Sequence, residues 1–241
     1  DRDWSSDVCS SDLMNDVQFH RGPDGMFVFG SELKALMQHP QMPRTIEPQC
    51  VEEYFALGYV PEPRTIYRGV MKLDAGYTLT LRRGEPFPAS REYWDVHFTL
   101  DAKISAADAE AELTARLRES VRLRMISEVP LGAFLSGGVD SSAVVAMMAQ
   151  SSDSPVNTCA IAFDDPAFDE SKFAQQVADR YRTNHRVEMV ASDDFDLIDT
   201  LAWLYDEPYA DSSALPTYRV CQMARKHVTV ALSGDGGDES F

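Results

Sequence analysis

Serine, glycine and carboxylate residues recur together at two places in the chain, and these residue types can bind a phosphate and a metal ion. The first is Ser136-Gly137-Gly138-Val139-Asp140-Ser141, between a short apolar run, Leu131 to Leu135, and an apolar helical pattern beginning near Val139. Strand, tight glycine turn and helix in that order turn backbone N–H groups toward a helix N-terminus. There the unpaired donors and the positive end of the dipole favour an anion. Asp140 and Ser141 stand where side chains can hold a metal and a phosphate oxygen. The turn has no Gly-Lys-Ser/Thr ending, so no lysine is offered to a terminal phosphate. The second place is Ser233-Gly234-Asp235-Gly236-Gly237-Asp238-Glu239, after the apolar run Val228 to Leu232. Alone, the first turn also reads as an ordinary strand-to-helix connection capped by Ser136. Two such turns in one chain favour a nucleotide.

For both turns to serve one site, the strands before them must lie in one sheet. The second half of the chain alternates in the required way. Asn157 to Phe163 and His185 to Val190 read as strands. Asp169 to Arg182 reads as a helix striped by Phe173, Val177 and Tyr181. Asp193 to Tyr205 reads as another, with Leu197, Leu201 and Leu204 inward, and Ser212 to Lys226 as a third with Pro216 early in it. Upstream, Ser105 and Asp108 form a capping-box pattern before a helix carrying Leu113, Leu117, Val121 and Met125. Its arginines Arg116, Arg118, Arg122 and Arg124 read as a solvated face, with a nucleotide-facing role as the minority alternative. The alternation predicts an α/β fold: a parallel sheet with right-handed crossovers and helices on both faces. Ligands of such sheets bind beyond the carboxyl ends of the strands. That rule puts Ser136, Asp140, Ser233, Asp235 and Asp238 on one rim. Asp140 and Asp238 are the candidate Mg2+ ligands, and Asp235 the candidate proton acceptor. Asp169, Glu170, Asp206, Glu207 and Asp211 read first as helix caps.

The first half is richer in strands and poorer in chemistry. Met26 to Gly30 reads as a strand, followed by a short helix, Glu32 to Met37, with Ser31 as its cap. Glu47 to Leu57 reads as a helix with Pro48 in its first turn and Gly58 as its stop. Val70 to Arg83 holds two strand-like runs about the turn Asp74-Ala75-Gly76. His20 and His39 are isolated and read as surface or structural residues. Residues 1–13 contain two near-copies of one short unit, Trp4 to Val8 and Cys9 to Leu13. Ser-Ser-Asp-Leu is what the end of a common sequencing adapter encodes, so this segment is expected to be non-native, the alternative being a native polar tail.

The chain has 241 residues and a formal net charge of -17. Such a surface repels a phosphate backbone, which argues against a nucleic-acid partner but not against Mg2+-bridged ATP. Cys9, Cys50, Cys159 and Cys221 show neither zinc spacing nor a disulfide framework and read as buried thiols. No apolar run reaches membrane-spanning length, and no signal peptide is visible, so a cytoplasmic protein is expected.

With the motifs in view, a family resemblance emerges. Leu135 to Ser142 resembles the pyrophosphate loop of the glutamine-hydrolysing asparagine synthetase family, and Leu232 to Glu239 resembles that family's second loop. Phe168-Asp169-Glu170-Ser171 and Tyr205 to Tyr218 are similar to its intervening segments. Phe29 to Leu36 is similar to the tail of its glutaminase domain. The stretch from Phe55 to Leu73 further resembles an exosortase-associated amidotransferase subgroup.

The resemblance implies a sheet of the adenine-nucleotide alpha-hydrolase type, preceded by the β-rich tail of an N-terminal-nucleophile glutaminase. The expected boundaries are 14–96 for the glutaminase part, 97–104 for a linker and 105–241 for the synthetase part. The implied ligands are ATP, Mg2+, glutamine and aspartate or another carboxylate, and a homodimer is one possible assembly. By matching positions, Ser136, Gly137, Gly138, Asp140 and Ser141 would hold pyrophosphate and Mg2+. Asp238 would add a second metal ligand, and Ser233 and Gly234 would touch ATP. Phe134 and Ile161 would lie near the adenine, and Asp235 would manage the proton of ammonia. Cys9 is not assigned as the glutaminase nucleophile, and the glutamine-binding residues are expected upstream of Met14. The chain is therefore expected to be a fragment lacking both ends, without glutaminase activity and with weak or absent ligase activity. A non-catalytic nucleotide-binding regulator is the reading from another class. A tRNA-modifying enzyme is disfavoured by the acidic surface.

Overall fold

The computed structural model describes residues 6–9, 17–82, 84–99, 104–165, 169–190 and 195–237, with backbone alone for 6–9 and 195. The first elements are β1 (Ser6–Cys9), β2 (Gln18–Arg21), β3 (Phe27–Gly30), α1 (Leu33–Leu36), α2 (Pro48–Leu57), β4 (Val70–Lys72), β5 (Tyr77–Leu81) and β6 (Arg91–Glu92). There follow α3 (Ala106–Arg124), β7 (Leu131–Phe134), α4 (Val139–Gln150), β8 (Asn157–Phe163), α5 (Ser171–Tyr181) and β9 (Asn184–Val190). A 3-10 turn (Phe195–Leu197) then leads to α6 (Ile198–Leu204), α7 (Ala214–Ala224) and β10 (Val230–Leu232). They form two compact units: Asp1–Thr99 with Ile198–Asp211, and Leu100–Leu197 with Ser212–Phe241.

The first unit holds two three-stranded antiparallel sheets, ordered β1-β5-β6 and β3-β2-β4. Strand β2 is absent from the pattern reading, because Gln18, His20 and Arg21 mask its alternation. It is nonetheless the central strand of its sheet, with Gln18 buried. Leu33, Leu36, Cys50, Val60 and Val70 join α1, α2 and β4 in one apolar cluster. Leu73 and Leu79 centre a second cluster with Phe19, Phe27 and Phe87 around them. Pro48 opens α2, and Gly58, at φ 84°, closes it by donating to Tyr54 O at 2.8 Å. Ser31 does not cap α1; the capping position falls to Glu32, which makes no side-chain cap bond.

The second unit is the α/β part. Its sheet is ordered β10-β7-β8-β9 and every pairing is parallel. Val121, Ala133, Leu135, Val145, Met148, Ala160 and Ala174 pack α3, α4 and α5 on one face. Cys159, Met223, Ala224 and Val228 pack α7 on the other. The expected helices on both faces are present. The Ser105 capping box forms as well: Asp108 N donates to Ser105 Oγ at 3.1 Å, and Ser105 Oγ donates to Asp108 Oδ2 at 2.6 Å.

Three expectations need correction. Leu113 is exposed rather than part of the α3 stripe. Cys221 is exposed, whereas Cys50 and Cys159 are buried as expected, and all three are free thiols. Of the helix expected over 193–205, residues 193–194 lie outside the described residues, and the rest forms the 3-10 turn and α6, in which no residue is buried. Its leucines are not the anchor. The chain after it is held by its carboxylates, and Ile198–Asp211 belongs to the first unit. Among the described residues no helix is long and apolar enough to cross a membrane.

Candidate active site

The order of the parallel sheet fixes where a ligand can sit. The chain runs from β7 outward through β8 to β9, then returns to place β10 on the other side of β7. The strand order therefore reverses between β7 and β10, and that crevice is where open α/β sheets bind ligands. Val230 pairs with Leu131 and Leu232 with Ala133, so the glycine loops after β7 and β10 leave the same edge side by side.

In the first loop, Gly137 has φ 93°, a conformation in which an added side chain is strained. A Cβ there would also lie 2.7 Å from both Ala174 N and Phe173 Cβ. Glycine is required so that the turn can press on the start of α5. Gly138 is the N-cap of α4 and brings no side chain to the helix start. Its N–H donates to Ser136 Oγ at 3.2 Å, so Ser136 does close the turn. Ser141 is buried, and its hydroxyl lies 2.9 Å from Ser136 Oγ and donates to Gly138 O at 3.3 Å. Asp140 sits in the first turn of α4, where the helix dipole favours its charge.

The second loop packs directly against this helix start. A Cβ on Gly234 would meet Ser141 N at 2.6 Å, and one on Gly237 would meet Asp140 Oδ1 at 2.6 Å. Gly236, at φ 89°, makes the turn between them. The absence of side chains at Gly234 and Gly237 is what lets the two loops meet. Asp235 is exposed on this loop. Partial desolvation of its sulfur raises the Cys221 thiol of α7 above its ordinary value although the residue as a whole is exposed, and the nearby Asp235 charge adds to the effect. Phe134 packs with Cys159 and Met223 beneath α7, and strand alternation puts Ile161 on the same face as Cys159. The structure thus brings Ser136, Gly137, Gly138, Asp140, Ser141, Ser233, Gly234 and Asp235 to one rim, with Phe134 and Ile161 on the α7 side. Asp238 and Glu239 lie outside the described residues, as does Phe168.

A cavity of about 470 Å3 opens beside the second loop, walled by α3, α4 and β10. Asp140, Ser233 and Asp235 line it, together with Arg124 of α3. Sequence reasoning alone puts Arg124 on a solvated face. Spacing held the signal: Leu117, Ser120, Val121 and Arg124 recur at i, i+3, i+4 and i+7, which is the stripe facing α4. Arg116 and Arg122 do behave as a solvated face, pairing with Glu112 and Glu119 on their own helix.

The intervening carboxylates serve the scaffold. Asp169, one residue before the N-cap of α5, accepts from Ser171 N at 3.1 Å and Ser171 Oγ at 3.0 Å, and those bonds hold its carboxyl below the ordinary value; Glu170 holds the cap position without a side-chain cap bond. Asp206 and Glu207 do not cap helices. Asp206 pairs with Lys34 at 2.7 Å and Glu207 with Lys72 at 2.7 Å, both within the first unit. Sequence reasoning missed these partners, since each pair joins residues far apart in the chain.

The parallel sheet and its rim define an α/β fold of the adenine-nucleotide alpha-hydrolase type. The asparagine synthase family model matches residues 112–241, and a glutamine amidotransferase domain model matches residues 14–94. The chain belongs to the asparagine synthase family. It is 40% identical over 240 residues to a Methanocaldococcus jannaschii protein provisionally named glutamine-hydrolysing asparagine synthetase 2, covering 97% of this chain and 46% of that one. Glutamine-hydrolysing asparagine synthetase 1 of Bacillus subtilis is 32% identical over 217 residues, covering 88% of this chain and 33% of the relative. Amidase chyE of Penicillium rubens is 27% identical over 237 residues, covering 90% and 34%. The chain thus spans less than half the length of these relatives. The NH3-dependent NAD synthetase of Campylobacter jejuni superposes with a TM-score of 0.34 and 10% identity over 50% of this chain and 54% of that one, a likeness too slight to carry an argument.

Proposed function

We propose that the complete protein is an ATP-dependent, amide-forming ligase, a glutamine-hydrolysing asparagine synthetase that works in the cytoplasm. Residues 14–96 are read as the later part of its glutaminase domain, 97–104 as a linker, 105–241 as the first part of its synthetase domain, and 1–13 as non-native. The carrying observation is the contact between the loops: Gly234 and Gly237 lie against Ser141 and Asp140 at the switch point of the sheet.

Two displacements make up the proposed chemistry. A carboxylate oxygen of aspartate attacks the α-phosphorus of ATP and the bond to pyrophosphate breaks. Ammonia, released from glutamine, then attacks the acyl carbon, and AMP leaves with the former carboxylate oxygen. Backbone donors of Ser136 to Gly138, with Ser141, orient the phosphates at the start of α4. Ser233 and Gly234 hold them from the facing loop, and Phe134 and Ile161 flank the adenine. Asp235 accepts the proton that ammonia loses on attack. Mg2+ fits the same rim: Asp140 offers a hard oxygen ligand, and Gly237 brings the second loop up to that carboxylate without a side chain that would clash with it. Mg2+ takes one or two carboxylates plus substrate phosphates, so the protein set of Asp140 and Asp238 suits it. When bound it would neutralise charge on the departing pyrophosphate.

A second acceptor reading keeps this chemistry and changes the acid, to a carboxylate of an extracellular polysaccharide pathway. The similarity to Amidase chyE, a relative not named as an asparagine synthetase, favours keeping it in view. Exchange of labelled pyrophosphate into ATP by the complete protein tests both. Exchange that requires aspartate supports asparagine synthesis. Exchange that requires another acid supports the second reading, and none with any acid supports a nucleotide-binding regulator.

A further inference from the structure

The rim is strongly acidic, yet one cation lines the cavity beside it. Arg124 closes the last turn of α3, and its Nη1 donates to Ser120 Oγ at 2.7 Å and Ser120 O at 3.2 Å. Those bonds fix one nitrogen of the guanidinium to its own helix. Among the described residues no carboxylate forms an ion pair with Arg124, whereas Arg116 and Arg122 both have one on the same helix. The cavity it lines shares Asp140 with the first glycine loop but does not include Ser136, Gly137 or Gly138. It is therefore beside the phosphate loop rather than part of it. Leu117, Val121, Val144 and Leu232 give it apolar walls, and Asp235 stands on the loop across it.

We infer that this cavity receives the acceptor acid and that Arg124 pairs with a second, non-reacting carboxylate of that acid, so that the pocket selects dicarboxylic acceptors. The inference rests on the ligase reading above. Its physical basis is charge and shape. A guanidinium presents a fork of donors matched to a carboxylate, and such charge-assisted bonds are about twice as strong as neutral ones. A cavity of about 470 Å3 has ample room for a small acid with its reacting carboxylate directed to the rim. Asp140 and Asp235 would repel a second carboxylate anywhere else in the cavity, which leaves Arg124 as its partner.

The test is pyrophosphate exchange by the complete protein with L-aspartate, L-glutamate and succinate as dicarboxylic probes and β-alanine, which lacks the α-carboxylate of aspartate, as the monocarboxylic control. Arg124→Ala should raise the half-saturating concentration of the dicarboxylic substrate about 10- to 100-fold, the worth of a charged hydrogen bond. It should leave the ATP dependence and the β-alanine response within about two-fold. Arg124→Lys should recover part of the loss, and Arg124→Gln serves if the alanine variant does not fold. Unchanged acid dependence in a folded variant, a shift in ATP dependence instead, or wild-type exchange supported equally by β-alanine would overturn the inference alone. Absence of exchange with every acid in the wild-type protein would overturn the ligase reading, and this inference with it.

Discussion

Glu207 Oε2 lies 2.7 Å from Lys72 Nζ, with the two side chains only 10% and 9% exposed. The pair is built into the backbone on both sides. Glu207 Oε1 accepts from Ile66 N at 2.6 Å, and Lys72 Nζ donates to Val60 O at 2.9 Å. A second bridge next to it, Lys34 to Asp206 at 2.7 Å, joins residues 172 positions apart, with Lys34 also 5.0 Å from the Trp203 ring. Burial works to lower the Lys34 amine, but the hydrogen bond and charge of Asp206 outweigh it and raise the amine above its ordinary value. The acidic Asp206-Glu207 dipeptide is thus a fastening for the chain.

Breaking the buried pair should cost more than replacing it. Glu207→Gln leaves the Lys72 charge buried without its partner and should destabilise the first unit by about 3–5 kcal/mol. The double replacement Lys72→Met with Glu207→Leu should recover most of that loss, because two desolvation penalties disappear together. Urea unfolding of the wild type, Glu207→Gln and the double variant measures it. Equal stability of Glu207→Gln and the wild type would contradict the assignment.

Adjacent glycines of the first loop should differ sharply. Gly137→Ala places a methyl 2.7 Å from Ala174 N at a φ of 93°, and should cost at least about 2 kcal/mol in stability. Gly138→Ala meets only Ser136 Oγ, at 3.4 Å, and should stay within about 0.5 kcal/mol of the wild type. Denaturant midpoints decide between them, and similar losses at both positions would contradict the loop geometry.

Histidine 185 should make the second unit acid-sensitive. Its Nδ1 lies 2.9 Å from Thr158 Oγ1, and burial holds the imidazole below its ordinary value of 6.5, with the Asp179 charge opposing. The folded state therefore favours the neutral ring. That stability is fully present above pH 6.5 and is lost as pH falls through the lower folded value. Compared with wild type, His185→Gln should flatten the fall in melting temperature between neutral and mildly acidic pH. An unchanged slope would contradict the assignment.

Asp235 should separate the two halves of the proposed reaction. Asp235→Asn in the complete protein should slow amide formation by about 10²- to 10⁴-fold, the range of general-base contributions. It should leave acid-dependent pyrophosphate exchange nearly intact, because adenylation does not need that proton acceptor. Exchange and amide formation are assayed side by side, and parallel loss of both would assign Asp235 to binding instead.

The parallel sheet was legible because its strands are short apolar runs punctuated by glycine, and Ser105 with Asp108 announced α3 by local chemistry alone. The rim followed from strand order, since Ser136 and Ser233 sit at strand ends whatever the packing. What stayed hidden depends on long-range contact. Gln18, His20 and Arg21 hid the central strand β2, whose partners lie on either side in the fold. Leu197, Leu201 and Leu204 imitated a helix packed on the sheet, although the segment is held by Asp206 and Glu207 through lysines far away in sequence. Arg124 was legible in its spacing, but its value came only with the cavity that α4 and the second loop complete.

The central claim is that a carboxylate is activated by adenylation at the meeting of the two glycine loops. The most direct measurement supplies the complete protein with ATP, glutamine and acceptor acid whose carboxylate carries oxygen-18, and tracks the label by mass spectrometry. Attack on the α-phosphorus predicts one labelled oxygen in each AMP formed and none in pyrophosphate. Label in inorganic phosphate with ADP as the other product, or amide formed without label in AMP, would contradict it.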